Sequence, residues 1–148
     1  CCIERIFEEG VEMKKEDCIF CRIAGGEIPS RTLYEDEQFR VILDLGPATK
    51  GHALLIPKEH AADLYELSEE TASSVLIVAK KVAARMKEKL GFDGLNLIQN
   101  NGKAAGQTVD HFHLHMIPRY EKDGQNICWI PGAPTQEELD MVKNQIVG

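Results

Sequence analysis

The sequence predicts an α+β chain, with a mainly antiparallel sheet, one long helix and a short C-terminal helix. Three observations predict it. Short apolar stretches recur between turn-forming residues, and one of them, His111 to Met116, alternates strictly between histidine and an apolar residue. A single long segment, from Ser68 to Gly91, carries apolar residues at helical spacing. A second, shorter helix is announced near the end by Thr135 with Glu138 three residues on, the signature of a capping box. Hairpin-forming strands with one long helix suit a layered α+β arrangement.

Taken in order, residues 1–16 read as an N-terminal extension, in which Glu8, Glu9 and Glu12 give way to Met13-Lys14-Lys15. Met13 is the expected start of the functional domain. Cys18-Ile19-Phe20-Cys21 follows, and Gly25-Gly26 with Ile28-Pro29-Ser30 forms a turn before the first strand. Leu33–Glu35 and Phe39–Leu45 form a hairpin about the polar turn Asp36-Glu37-Gln38. Gly46-Pro47 and Lys50-Gly51 frame a loop, and His52–Pro57 is a short apolar strand leading to His60.

Ser68 is a good helix N-cap, with Glu69 and Glu70 in the first turn, where acids suit the helix dipole. Val75, Val78, Val82, Met86 and Leu90 form the buried stripe of that helix, and Gly91 ends it. Leu95, Leu97 and Gln99 share one face of the next strand. A loop from Lys103 to Asp110 then enters the histidine strand, which is expected to stop at Pro118. Residues 17–120 make the body, and 121–148 are its C-terminal tail, with Leu139, Val142 and Ile146 as the buried positions of the last helix.

Composition narrows the function. At 148 residues and 43% hydrophobic, the chain makes one globular domain with a real core. No apolar run approaches the ~20 residues of a membrane span. A net charge of −7 argues against a nucleic-acid polymer as partner. It leaves room for a small phosphate-bearing ligand held by a few local donors. Five cysteines, an odd number without a secretory signal, point to a reducing compartment, the cytoplasm.

His111, His113 and His115 would line one face of an extended strand, with Phe112, Leu114 and Met116 on the other. Neighbouring histidine Cα atoms are then roughly 6.6 Å apart and the outer pair roughly 13 Å. One ion cannot take all three without a sharp bend, so the geometry favours a division of labour. Cys18-x-x-Cys21 alone is ambiguous between a redox pair and half of a zinc site. Two buried cysteines without metal compete with both.

His111-Phe112-His113-Leu114-His115-Met116-Ile117 resembles the motif of the histidine triad (HIT) family at every position. Asp44 after an apolar strand, Gly51-His52 before another, and Gly106-Gln107-Thr108 ahead of the triad extend the likeness from Asp17 to Tyr120. The pattern is most similar to the Hint, or protein kinase C inhibitor-like, branch. The resemblance implies a HIT-like fold and nucleotidyl chemistry at an α-phosphorus. It makes His113 the nucleophile, with His115 binding phosphate oxygen or helping the leaving group and His52 beside the same centre. Neutral imidazole suits this near pH 7 when one ring nitrogen is unprotonated and the other is fixed.

The same resemblance implies that Asn100, Gln107 and Thr108 donate to phosphate and leaving group, and that Asp44 accepts from ribose hydroxyls. Phe20 and Ile23 contribute to an apolar base slot. Zinc-containing relatives resemble a Cys18, Cys21, His60, His111 set, which would make a closed structural zinc site. The resemblance also implies a homodimer and a purine nucleotide substrate, an AMP or GMP derivative. The leading expectation is therefore a nucleoside phosphoramidase-like hydrolase. A dinucleoside polyphosphate hydrolase of the Fhit kind, a nucleotide-binding regulatory protein and a zinc-stapled interaction domain are the alternatives. The nucleotidyltransferase branch places glutamine where this chain keeps His115.

Overall fold

The computed structural model describes residues 15–148. Cys1, Cys2 and Met13, and with them the expected start of the domain, lie outside the described residues. The elements run α1 (Ile19–Ala24), β1 (Thr32–Glu35), β2 (Phe39–Leu43), β3 (Ala53–Pro57), α2 (Glu69–Leu90), β4 (Gly94–Ile98), a 3-10 turn (Lys103–Ala105), β5 (Leu114–Arg119) and α3 (Gln136–Val147). The five strands make one antiparallel sheet in the order β1-β2-β3-β5-β4.

Alternation along the central strands decides which face each side chain meets. Phe39, Val41, Ala53, Leu55, Leu114 and Met116 face α2, where Val75, Val78, Val82 and Met86 complete the main core. Ile42, Leu54 and Ile56 face the other way and pack with Cys18, Phe20, Cys21 and Ala24 around α1. The sheet thus has a large layer on one side and a small one on the other. The histidines sit on the small side.

Ser68 caps α2 as its type predicts, accepting from the Thr71 amide at 3.2 Å, and Gly91 ends the helix in the left-handed conformation at φ 64°. The buried Glu59 carboxylate ties this helix start to the end of β3, accepting from the Ser68 amide and hydroxyl and from the Thr71 hydroxyl.

The structure corrects several expectations. Cys18 and Cys21 stand at the start of a helix, α1, where no regular element was expected; six residues are too few for periodicity to register. β5 begins at Leu114, so His111 and His113 lie ahead of the ladder: the Phe112 amide bonds the Ala61 carbonyl instead. Phe112 still faces the α2 core as the alternation required.

β5 also runs through Pro118 to Arg119. The Pro118 carbonyl accepts from the Thr49 hydroxyl, so the missing N–H points toward the β3 side, where pairing has already ended at Ala53–Met116. Finally, Leu139, Val142 and Ile146 of α3 are exposed, although the Thr135–Glu138 capping box forms as expected. Trp129, whose type suggests packing in a core or at an interface, is exposed, so it is not a core residue of this chain. Leu97, paired with Leu95 on one face in the expectation, is partly exposed on the edge strand β4, and Gln99 lies beyond that strand's end.

Candidate active site

Four of the residues singled out from sequence converge where β3 and β5 lie side by side. His115 is in register with Leu54 on one side and Ile98 on the other, and His52 immediately precedes β3 on the same face as Leu54. The His52 and His115 rings meet with Nε2 and Nδ1 2.9 Å apart, and the His113 and His115 ring centroids are 5.0 Å apart. Asp44, just past β2, brings Oδ2 to 3.6 Å from His52 Nε2, while its Oδ1 accepts from the Gly46 amide at 2.8 Å. Phe20 from α1 sets its ring edge-on to His113 at 4.9 Å, and Ile23 packs on the same small core.

Backbone groups fix the protons of this cluster, because an amide can only donate and a carbonyl only accept. His113 Nδ1 lies 2.7 Å from the His111 carbonyl, so Nδ1 carries the hydrogen and Nε2 keeps its lone pair. The Ala48 amide donates to His52 Nδ1 at 3.0 Å, so the His52 hydrogen is on Nε2. That hydrogen is donated to His115 Nδ1, which leaves the His115 hydrogen on Nε2. One ring therefore presents an unprotonated nitrogen beside another that presents a donor.

Burial favours the neutral rings. It pushes the His113 pKa below the usual imidazole value, against the opposing pull of the His111 carbonyl. His52 is lowered for the same first reason, and Asp44 opposes the shift. His115 falls to about 4, because burial acts together with the neighbouring His113 and His52. All three are uncharged near pH 7.

Asn100, Gln107 and Thr108 lie on the connection from β4 to β5. The Asn100 amide sits beside Gly106, and Thr108 is exposed. Gln107 is buried and holds the loop: its amide donates to the Ala62 and Val109 carbonyls at 2.6 and 3.0 Å, and its oxygen accepts from the Gly102 amide. A phosphate contact from Gln107 would require those bonds to be released.

A second cluster brings together Cys18, Cys21, His60 and His111, whose ligand atoms all lie within 4.8 Å of one another. The Sγ–Nδ1 distances are 3.4 Å for Cys18–His111, 3.2 Å for Cys21–His60 and 3.5 Å for Cys21–His111. A tetrahedral ion with ordinary sulfur and nitrogen bonds requires ligand–ligand edges of roughly 3.3–3.8 Å, so these donors fit one. His111 Nε2 donates to the Pro57 carbonyl at 2.9 Å, which turns the Nδ1 lone pair toward the thiols. Cys18, Cys21 and His111 are buried.

Asp44, His52 and His115 form another group of possible ligands. There, however, the Ala48 amide keeps the proton on His52 Nε2, and a metal would have to displace it. A hydrogen-bond chain is the arrangement those donors support. The Ala48 amide and the Pro57 and His111 carbonyls do much of the positioning in both clusters. No residue type announces them, because every residue but proline carries the same backbone groups.

The HIT domain family model matches residues 25–122. An adenosine 5′-monophosphoramidase of Schizosaccharomyces pombe is 42% identical over 130 residues, covering 87% of this chain and 95% of that protein. A crystal structure of a HIT family protein from Bacillus subtilis superposes with a TM-score of 0.83 at 42% identity, covering 88% of this chain and 95% of that one. A zinc-bound histidine triad family protein from Mycobacterium smegmatis gives a TM-score of 0.71 at 43% identity, covering 78% and 84%.

Proposed function

The chain belongs to the histidine triad (HIT) family, and from that premise we propose that it hydrolyses nucleoside phosphoramidates or related nucleotides at the α-phosphorus, releasing a nucleoside monophosphate. The observation that carries this reading is the pair of opposed tautomers, with lone-pair His113 Nε2 beside donor His115 Nε2. The phosphoramidase-named relative supports the substrate class.

In the proposed reaction His113 Nε2 attacks the α-phosphorus, forming a P–N bond while the P–N bond to the leaving amine breaks. His113 Nδ1 keeps its hydrogen and donates it to the His111 carbonyl, which stabilises the charge developing on the ring. His115 Nε2–H gives its proton to the departing nitrogen, which leaves as the neutral amine, while the His52 N–H bond at 2.9 Å steadies the His115 ring until water restores that proton. Water then attacks the phosphorus, returns a proton to His115 and expels His113. Asp44 holds the ribose hydroxyls, Asn100 and Thr108 offer donors to the phosphate, Gln107 keeps their loop in shape, and Phe20 with Ile23 walls the base.

Zinc is the ion we assign to Cys18, Cys21, His60 and His111, a closed set that would tie α1 to the entrance of β5. A reducing compartment suits those thiols. A homodimer accords with the apolar side chains left exposed on α2 and β4, namely Leu76, Ile77 and Leu97.

Single-turnover reaction with an adenosine phosphoramidate, followed by intact mass and AMP release, tests the reading. Wild type should release AMP and pass through a transient gain of one AMP; His113→Ala should lose both, by about 10⁴-fold or more in rate. Nucleotide binding without AMP release would sink the phosphoramidase reading. Cleavage of dinucleoside polyphosphates alone would assign the chemistry to the longer substrates.

A further inference from the structure

The loop that fixes the His52 tautomer is held in part by its own bonds: the Asp44 amide donates to the His52 carbonyl, the His52 amide to the Thr49 carbonyl, and the Gly46 amide to Asp44 Oδ1. Residues 44–52 run between β2 and β3, and the Ala48 methyl group offers no polar anchor. From elsewhere the loop is reached by β5, where the Pro118 carbonyl accepts from the Thr49 hydroxyl, and at Ala48 and Lys50 by the chain beyond β5. Gln125 Nε2 donates to the Ala48 carbonyl at 2.8 Å, and the Tyr120 hydroxyl donates to the Lys50 carbonyl, also at 2.8 Å.

Gln125 is itself held in place. Its amide donates to Asp123 Oδ1 at 2.9 Å, and its carbonyl accepts from Arg119 Nη2 at 2.7 Å. Arg119 closes the turn by gripping both Asp123 oxygens, at 2.8 and 3.0 Å. A side chain 77 residues from Ala48 in sequence therefore holds the residue whose amide, 3.0 Å from His52 Nδ1, decides where the His52 proton sits.

We propose that Gln125, braced by the Arg119–Asp123 turn and assisted by Tyr120, is a positioning residue for the leaving-group step. It clamps Ala48 so that the proton order Ala48 N–H to His52 to His115 runs in one direction only. The inference rests on the proposed reaction for its kinetic consequence, but the proton order itself is independent of any substrate. Without the clamp the Ala48 amide swings off the ring, and both His52 tautomers become accessible. His115 then loses the fixed neighbour that keeps its hydrogen on Nε2, facing the departing group.

The test uses Gln125→Met, which keeps length but cannot donate, Gln125→Lys, which restores a donor, and Gln125→Met combined with Tyr120→Phe. Imidazole ¹⁵N NMR of the substrate-free protein reads the tautomers, and steady-state kinetics reads the consequence. Wild type should show one tautomer each for His52 and His115. Gln125→Met should give a mixture and lower kcat about three- to tenfold with KM little changed. The double variant should do so more strongly, and Gln125→Lys should recover both.

A single His52 tautomer retained in the double variant would overturn the proposal, as would a loss confined to KM. Should wild type hydrolyse nothing, the proposed function fails while the NMR measurement still decides the clamp. Global unfolding is separated from these outcomes by the amide spectrum of the same samples.

Discussion

Gly51→Ala is the sharpest test of how the fold supports the site. Gly51 stands immediately before His52 at φ +90°, a conformation that a side chain makes costly by about 1–3 kcal/mol. A Cβ built there would lie 2.5 Å from Leu90 Cδ1 and 3.3 Å from Pro118 Cγ. Leu90 is the last residue of α2 and can turn aside, at about 0.5–1.5 kcal/mol for a side chain forced off its rotamer. The sum predicts a loss of roughly 2–4 kcal/mol in urea unfolding.

The two contributions can be separated by a double-mutant cycle. Leu90→Ala removes the atom that collides, so Gly51→Ala in that background should cost about 1 kcal/mol less than in wild type and retain the backbone part. A Gly51→Ala loss below about 0.5 kcal/mol, or its complete disappearance in the Leu90→Ala background, would refute the reasoning.

Two further predictions concern protons and metal. The folded pKa of His115 lies at about 4, below its ordinary 6.5, so between those values the unfolded chain binds more protons than the folded one. Stability should therefore fall as pH drops from 6.5 toward 4, and His115→Gln should flatten that slope in urea midpoints measured across the range. For the metal, protein loaded with zinc at about a hundredfold over its Kd should gain roughly 3 kcal/mol, or about 5–10 °C in Tm, over chelated protein. Cys21→Ser should abolish both the bound zinc, measured by elemental analysis, and the sensitivity to chelator.

The large elements were legible because each is written in a pattern of its own type. Ser68, the Val75–Met86 stripe and Gly91 mark α2 at both ends and along its face, and Thr135 with Glu138 marks α3. The grouping of Asp44, His52, His113 and His115 was legible through likeness to a family. So was the Cys18, Cys21, His60, His111 set, whose members span 93 positions and carry no local spacing that joins them.

What the sequence concealed was of a different kind. A one-turn helix such as α1 has no period to detect. The late start of regular pairing, at Leu114, follows from the His111 ring turning to the thiols and the Phe112 amide turning to Ala61, both tertiary choices. The exposure of Leu139, Val142 and Ile146 cannot be read from a helical stripe, which records that a face is apolar and not which surface covers it. The tautomers were hidden because main-chain atoms set them.

The distance along the chain between the groups we assign to zinc has a consequence for synthesis. Cys18 leaves the ribosome 93 residues ahead of His111, which at about 5–20 residues per second means a delay of roughly 5–20 s. His60 follows Cys21 by 39 residues, so over the rest of that interval the nascent chain carries three of the four groups and lacks only His111. Until then the thiols are open to oxidation and to capture by other metals. The zinc set we propose is therefore complete only once His111 has been made, and its loading is expected to respond to the redox state and metal supply over that interval.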